Sequence, residues 1–418
     1  MKWSPLAALF NRVVRRGNLC HIDGSGSTRR FGNGEGKEIV FRTADLRTEL
    51  RIAADPYLAI GEAYMDGQLT VEQGDIYDFI TLLLDNAGPS APTAWIRGVE
   101  AMRRLSRRLQ QINSLNRSSR NAKYHYDIDG AIYALFLDED RQYSCGYFTS
   151  DDASLEEAQR AKKRHIAAKL AIRPGDRILD IGSGWGGLCL YLANLSEVSV
   201  TGITLSPEQL KYSQQRAAND GYEGRVDFRL QDYRKLEGAF DRIVSVGMFE
   251  HVGINHYGAF FAKIRDLLTD DGVAVIHSIG RSDGPGASNP FLQRYIFPGG
   301  YAPALSEVLA RVERSGLIVT DIEILRMHYA KTLRLWRERF VRNWQRATEL
   351  KGEQFCRMWE FYLAGAEAAF QYQHMMVFQI QLVKRQDALP LTRDYMIDTE
   401  RQLKALKDQG LGVQRAAE

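Results

Sequence analysis

The stretch RILDIGSGWGGLCLYLA, residues 177–193, limits the fold more than any other part of the chain. An apolar run ends near Asp180, glycines at 182, 184, 186 and 187 follow, and a helical pattern begins at once. Glycines let a backbone approach a ligand where a Cβ would collide, and a helix N-terminus presents free N–H groups. These glycines are packed too closely for the G-x-G-x-x-G dinucleotide loop, and no P-loop lysine follows. From Asp176 onward, strand-like runs at 177–180, 199–203, 226–231, 242–246 and 273–277 alternate with helical stretches. That alternation predicts an α/β domain, a doubly wound and mostly parallel sheet with helices on both faces. A helical insertion over 285–373 interrupts the pattern before a last strand-like run at 377–384.

Ahead of this domain the pattern changes. Alternating runs at 38–42 and 50–54 mix with the helical spacing of Ile76, Phe79, Ile80, Leu83 and Leu84, which predicts a smaller N-terminal α+β domain. DNAGPSAPT marks a linker. Residues 93–123 read as a basic linker helix, with Arg97, Arg103, Arg104, Arg107, Arg108, Arg117, Arg120 and Lys123 against Glu100. The expected division is therefore 1–92, 93–123 and 124–418. The opening MKWSPLAALFNRVVRRG reads as a surface amphipathic helix, because arginines follow a short apolar stretch and no cleavage signal is visible. No run approaches the roughly eighteen apolar residues of a membrane-spanning helix. Lys and Arg number 55 against 52 Asp and Glu, a net charge of +3 that gives no case for nucleic acid. Four cysteines without metal-type spacing point to free thiols in a reducing cytoplasm and to no metal site.

Several polar residues fall at the expected carboxyl edge of the sheet. VSVTGITLSPEQL has no acid where a ribose-binding carboxylate commonly stands; Thr204, Ser206 and Gln209 are there instead, and Ser206 to Gln209 also reads as a helix cap. Gln231 and Asp232 follow the third strand, Asp232 being either an adenine-side contact or a turn residue. Glu250 follows a strand in GMFEHVG, and His277 ends VAVIH. From spacing alone, a core histidine and a helix-start carboxylate explain this pair at least as well as catalysis does. His251 and His256 read as structural.

The D-x-G-x-G-x-G pattern resembles the first motif of class I S-adenosylmethionine-dependent methyltransferases. Taken together, IGEAYMDG at 60–67, YSCGYF at 143–148, LDIGSGWGG, GITLSPEQ, SVGMFEHVG at 245–253 and YIFPGG at 295–300 resemble the cyclopropane fatty acid synthase family over nearly the whole chain. The resemblance implies a class I methyltransferase (Rossmann-like) fold with an N-terminal lipid-binding domain. It implies transfer of a methylene unit from S-adenosylmethionine to the cis double bond of an unsaturated phospholipid acyl chain. The alkene would attack the methyl group, the resulting carbocation would lose a proton to a bound bicarbonate, and the ring would close. Positions matching the bicarbonate ligands are Cys145, Glu250, His277, Ile279 through its backbone, and Tyr329. Those matching cofactor contacts are Tyr143, Ser144, Gly182, Gly184, Thr204, Gln209 and Asp232, with Asp180, Ser206 and Gln231 beside them. Ser183 stands where relatives often carry cysteine, and GAEAAFQYQHMMVFQIQL has fewer charges than the corresponding family segment.

The residue chemistry agrees with that implication. An alkene has no acidic proton to remove before it attacks, so no Ser-His or Cys-His base is needed. A carbocation needs dry aromatic walls, for which Tyr147, Phe148, Phe249, Phe291, Tyr295, Phe297 and Trp336 are candidates. Nothing near Cys145 in sequence would lower its pKa, so it reads as a shaped contact. A substrate inside a bilayer calls for a peripheral protein on the inner face of the membrane, where basic residues contribute about 1 kcal/mol each near anionic lipid. Family analogy also implies a homodimer. Three other readings stand: methylation of the same alkene without ring closure, a small-molecule amine methyltransferase, and a catalytically silent lipid-binding protein.

Overall fold

Residues 4–86, 98–99, 101–103, 111 and 130–408 are described by a computed structural model. The basic segment 93–123 lies almost wholly outside them; Arg103, which is described, places Nη2 2.6 Å from Asp55 Oδ2. Two compact units form. One comprises the described residues of Met1–Gln110, Gly286–Pro298 and Ala330–Met375; the other comprises those of Gln111–Pro285, Gly299–Tyr329 and Met376–Glu418. The insertion expected over 285–373 is thus divided between the two.

The first unit carries a mixed sheet of β1 (Asn18–Ile22), β2 (Thr28–Gly32), β3 (Glu38–Thr43) and β4 (Leu69–Gln73), in the order β2-β1-β3-β4. Its opening helix, Pro5–Val13, starts at an N-cap Ser4 whose hydroxyl accepts from Ala7 N and donates to Glu49 Oε2 at 2.7 Å. Leu6, Leu9 and Phe10 are buried, Phe10 lying 5.6 Å from Phe31 and 5.5 Å from Phe41 between ring centroids. The expected surface helix is therefore packed on its own domain, because the sheet offers that apolar face a partner. Residues 50–54, read as an alternating run, end the helix Leu46–Ala54, which Asp45 caps by accepting from Thr48 N at 2.8 Å. The helix Ile76–Asn86 follows its expected spacing, and the helix Glu353–Tyr372 adds Ala364 and Ala368 to the same core.

In the second unit, β5 (Arg177–Ile181), β6 (Ser199–Thr204), β7 (Val226–Leu230), β8 (Phe240–Val246), β9 (Leu268–Arg281), β10 (Ile318–Leu325) and β11 (Met375–Val383) form one sheet. Their order is β10-β11-β9-β8-β5-β6-β7, parallel from β9 to β7, with β10 antiparallel to β11. Neighbouring residues alternate between two apolar layers. Leu179, Ile243, Ala274 and Ile276 enter one, and Ile178, Val244 and Val275 enter the other. A strand buried on both faces needs this two-sided pattern. The fold is that of class I methyltransferases, as expected. β10 was not expected within the helical insertion over 285–373; it is an edge strand on which Ile318, Val319 and Ile322 are only partly covered while Asp321 is buried.

Candidate active site

At the carboxyl edge of the sheet, β5 delivers Asp180 and the chain turns through Gly182 (φ +86°) and Gly184 (φ +54°). Residues with a Cβ pay about 1 kcal/mol or more for that left-handed backbone. A Cβ on Gly182 would lie 2.9 Å from Met248 Cβ, whereas one on Gly184 would meet nothing within 4 Å. The first glycine is required by packing; the second leaves the backbone open to a ligand over the loop. Asp180 itself is buried beneath the loop, where Cys189 Sγ lies 3.3 Å from Oδ2 and, among the described residues, Oδ1 has no partner. Burial pushes its carboxyl up to about 7.

The end of β6 brings Thr204, Ser206 and Gln209 together. The Thr204 hydroxyl donates to Gln209 Oε1 at 2.9 Å, and Ser206 Oγ accepts from Gln209 N at 3.3 Å at the start of the helix Pro207–Asn219. The residues expected to contact a cofactor are thus also those that cap the helix. Beyond β7, Asp232 is held by Arg234 through contacts of 2.8 and 2.6 Å, while Gln231 Nε2 donates to Lys235 O at 3.3 Å. Asp232 thus already has a cation beside it.

Glu250 and Ile279 meet directly: Ile279 N donates to Glu250 Oε1 at 2.6 Å, a contact made by the Ile279 backbone. Glu250 Oε2 is buried and without a partner among the described residues. Burial pushes this carboxyl up to about 7, against a smaller opposing effect of the bond from Ile279. His277, two residues earlier on β9, is buried, and its Nδ1 lies 3.1 Å from Gln379 Nε2. With the amide donating, the ring carries its proton on Nε2. Burial, reinforced by Lys162 and Lys169, pushes His277 down to about 3, so it is neutral at physiological pH. The carboxyl of Glu250, close to half-protonated near neutral pH, and the neutral imidazole of His277 thus stand at the same edge of the sheet. Cys145 is buried with Sγ 3.3 Å from Gly146 O, and Tyr329 is buried at the start of the helix His328–Arg342.

The loop before Cys145 is anchored from below. Gln159 Nε2 donates to Ser144 O at 2.9 Å and Lys162 Nζ to Ser144 Oγ at 2.8 Å, while the Tyr143 ring packs on Tyr133 at 5.1 Å. Ser144 faces the end of β8: a Cβ on Gly247 would lie 3.9 Å from Ser144 Cβ. Of the aromatic walls expected in this unit, Tyr147 is sandwiched between His165 and His328 at 4.1 and 5.0 Å. Phe249 is fully buried among Tyr257, Phe260 and Phe261 and is core, not wall. Phe291, Tyr295, Phe297 and Trp336 belong to the first unit, where Phe291 packs 4.8 Å from Phe361. Sequence reasoning missed Lys162, His165 and Gln379. Gln379 sat in a segment noted only for its few charges, and the two basic residues sit in RAKKRH, which reads as a solvated helical face.

The family model described as mycolic acid cyclopropane synthetase matches residues 113–380. A cyclopropane-fatty-acyl-phospholipid synthase of Escherichia coli K12 is 36% identical over 330 residues, 79% of this chain and 84% of that protein. A probable fatty acid methyltransferase of Pseudomonas putida is 42% identical over 285 residues, 65% of this chain and 72% of the other. The crystal structure of mycolic acid cyclopropane synthase CmaA1 complexed with SAH and CTAB superposes with a TM-score of 0.61 at 34% identity, covering 63% of this chain and 97% of that one. Matched by this model across the glycine loop and the Glu250 to Ile279 cluster alike, the chain belongs to the mycolic acid cyclopropane synthetase family of S-adenosylmethionine-dependent enzymes.

Proposed function

We propose that this enzyme transfers a methylene unit from S-adenosylmethionine to the cis double bond of an unsaturated phospholipid acyl chain, forming a cyclopropane. The observation that carries the reading is the cluster of Glu250, Ile279 N and neutral His277 at the same sheet edge as the left-handed glycine loop. S-adenosylmethionine, when bound, supplies an electrophilic methyl group. Gly182, Gly184, Thr204 and Gln209 would hold it, with Tyr143 and Ser144 on the facing loop and Asp180, Ser206, Gln231 and Asp232 alongside. Glu250, His277, Ile279, Cys145 and Tyr329 would hold a bicarbonate ion, which supplies a base of moderate strength. Glu250, close to half-protonated near neutral pH, holds or releases a proton at Oε2, and His277 keeps its proton at Nε2. Burial of both excludes water from a cation that water would capture.

Peripheral attachment to the inner face of the membrane is part of the proposal. No described helix is long and apolar enough to cross a bilayer. In the first unit, Leu46 and Leu50 are 53% and 46% exposed on one helix face, with Arg47 and Arg51 beside them, a pattern suited to an anionic lipid surface. The identity to the Pseudomonas putida methyltransferase favours a second reading, methylation of the same alkene without ring closure. Incubating the purified enzyme with S-adenosylmethionine and monounsaturated phospholipid vesicles decides between them by NMR and mass spectrometry of the fatty acids. Cyclopropane ring protons are expected; a chain longer by one carbon without a ring selects the second reading, and no lipid product overturns both.

A further inference from the structure

The helix Leu155–Leu170 buries three lysines, and their partners differ. Lys163 Nζ lies 2.5 Å from Asp140, and Lys169 Nζ lies 2.5 Å from Glu323 and 3.4 Å from Asp321. Lys162 is wholly buried yet forms no ion pair among the described residues; its Nζ donates to Gln142 Oε1 at 2.7 Å and Ser144 Oγ at 2.8 Å, both neutral oxygens. A buried ammonium without a contacting counter-charge is costly. An ammonium only donates, so Ser144 Oγ must accept from it, and no other Ser144 hydroxyl contact is made among the described residues. The hydroxyl hydrogen is therefore available to an acceptor at the end of β8.

We propose that Lys162 is a positioning residue for an anion: it aims the Ser144 hydroxyl at the carboxylate of S-adenosylmethionine and supplies that carboxylate's counter-charge. The inference rests on the cofactor reading above, in which Ser144 contacts S-adenosylmethionine. The amino-acid end of that ligand carries one ammonium and one carboxylate, and a hydroxyl hydrogen backed by a cation selects the carboxylate. Burial pulls the Lys162 ammonium down to about 8, against the opposing pull of Asp138, so the counter-charge is present at neutral pH and fades as pH rises through that value. Bicarbonate offers the same anionic chemistry, and Lys162 acts electrostatically on His277 as well.

Calorimetric titration of the full chain with S-adenosylmethionine and with its decarboxylated form, with and without bicarbonate, tests the assignment. Wild type is expected to prefer the carboxylated ligand by about 10- to 100-fold, the range for a hydrogen bond to a charged group. Lys162→Met should lose that factor for S-adenosylmethionine while changing affinity for the decarboxylated form less than about twofold on the same scale. Ser144→Ala should show the same pattern more weakly, and it serves if Lys162→Met does not fold. Equal losses for both ligands would make Lys162 a packing residue and overturn the proposal. Preserved discrimination with an altered bicarbonate effect would overturn it in favour of the other anion. Wild type that binds neither ligand would instead overturn the cofactor reading itself.

Discussion

His277 and His165 are buried to similar depth, 2% and 8% exposed, yet their pKa values move in opposite directions. For both, burial disfavours the cation. His277 has an amide beside it and, at range, Lys162, Lys169 and His165 lower it while Glu323 raises it, and it falls to about 3. His165 lies 2.6 Å from Glu323 and 3.1 Å from Glu400, and these carboxylates raise its pKa in spite of burial. The difference teaches that partners, not depth, set the proton count. It also separates roles: the neutral ring stands at the proposed reaction site, and the ring whose pKa is raised ties the helix Asp394–Asp408 and β10 to the helix Leu155–Leu170.

Four substitutions break or sharpen that contrast. The largest effect is expected at the neutral ring: His277→Ala, and likewise Glu250→Gln, should lower turnover by about 10²- to 10⁴-fold, the usual range for a proton-handling group. Cofactor affinity measured by calorimetry should stay near wild type, and full activity in either variant would sink the site assignment. Next is His165→Gln, which removes the ring bridging Glu323 and Glu400, leaves Lys169 as a cation on Glu323, and should cost about 1–3 kcal/mol in thermal or denaturant unfolding. The raised His165 contributes stability that is complete below its unfolded value of 6.5 and lost as pH rises through its folded one. Burial would raise Glu323, but His165 and Lys169 pull it to about 2 from 4.5, so its share is present above 4.5 and lost as pH falls. The gap between wild type and variant should therefore be widest between those two unfolded values, 4.5 and 6.5. Smallest is Gln379→Glu, which gives His277 the kind of partner His165 has. The His277 pKa, followed by NMR, should rise by about 1–3 units; no movement would show that partner identity does not explain the contrast.

Much of the second unit was legible because its signals are local. β5 to β9 announce themselves by apolar runs, and the turn after β5 by glycines whose backbone angles few other residues adopt. β10 escaped because its burial does not follow polarity, with Asp321 buried and Ile318, Val319 and Ile322 only partly covered, which weakens the period. The helix Pro5–Val13 showed its apolar face in sequence, but whether lipid or protein covers such a face depends on residues such as Phe31 and Phe41, tens of positions away. In the site, Glu250 and His277 stood out only through their motifs, since nothing local states that one carboxyl oxygen is buried alone. Lys162 and His165 were invisible for the converse reason: their charge suggested solvent, and their acceptors come from Gln142, Ser144, Glu323 and Glu400.

The threading of the chain through its two units constrains how it is made. The N-terminal core waits for Ala364 and Ala368, and the large sheet waits for β11, which inserts between β9 and β10 rather than adding at an edge. A ribosome must therefore synthesise past residue 372 before the first unit holds its last helix, and past residue 383 before the large sheet holds all its strands. Until then both expose apolar surface and an unpaired strand edge to other nascent chains. The late helix and strand, Glu353–Val383, act as a closing stitch for the whole polypeptide, and losing them would leave two incomplete bodies instead of one missing tail.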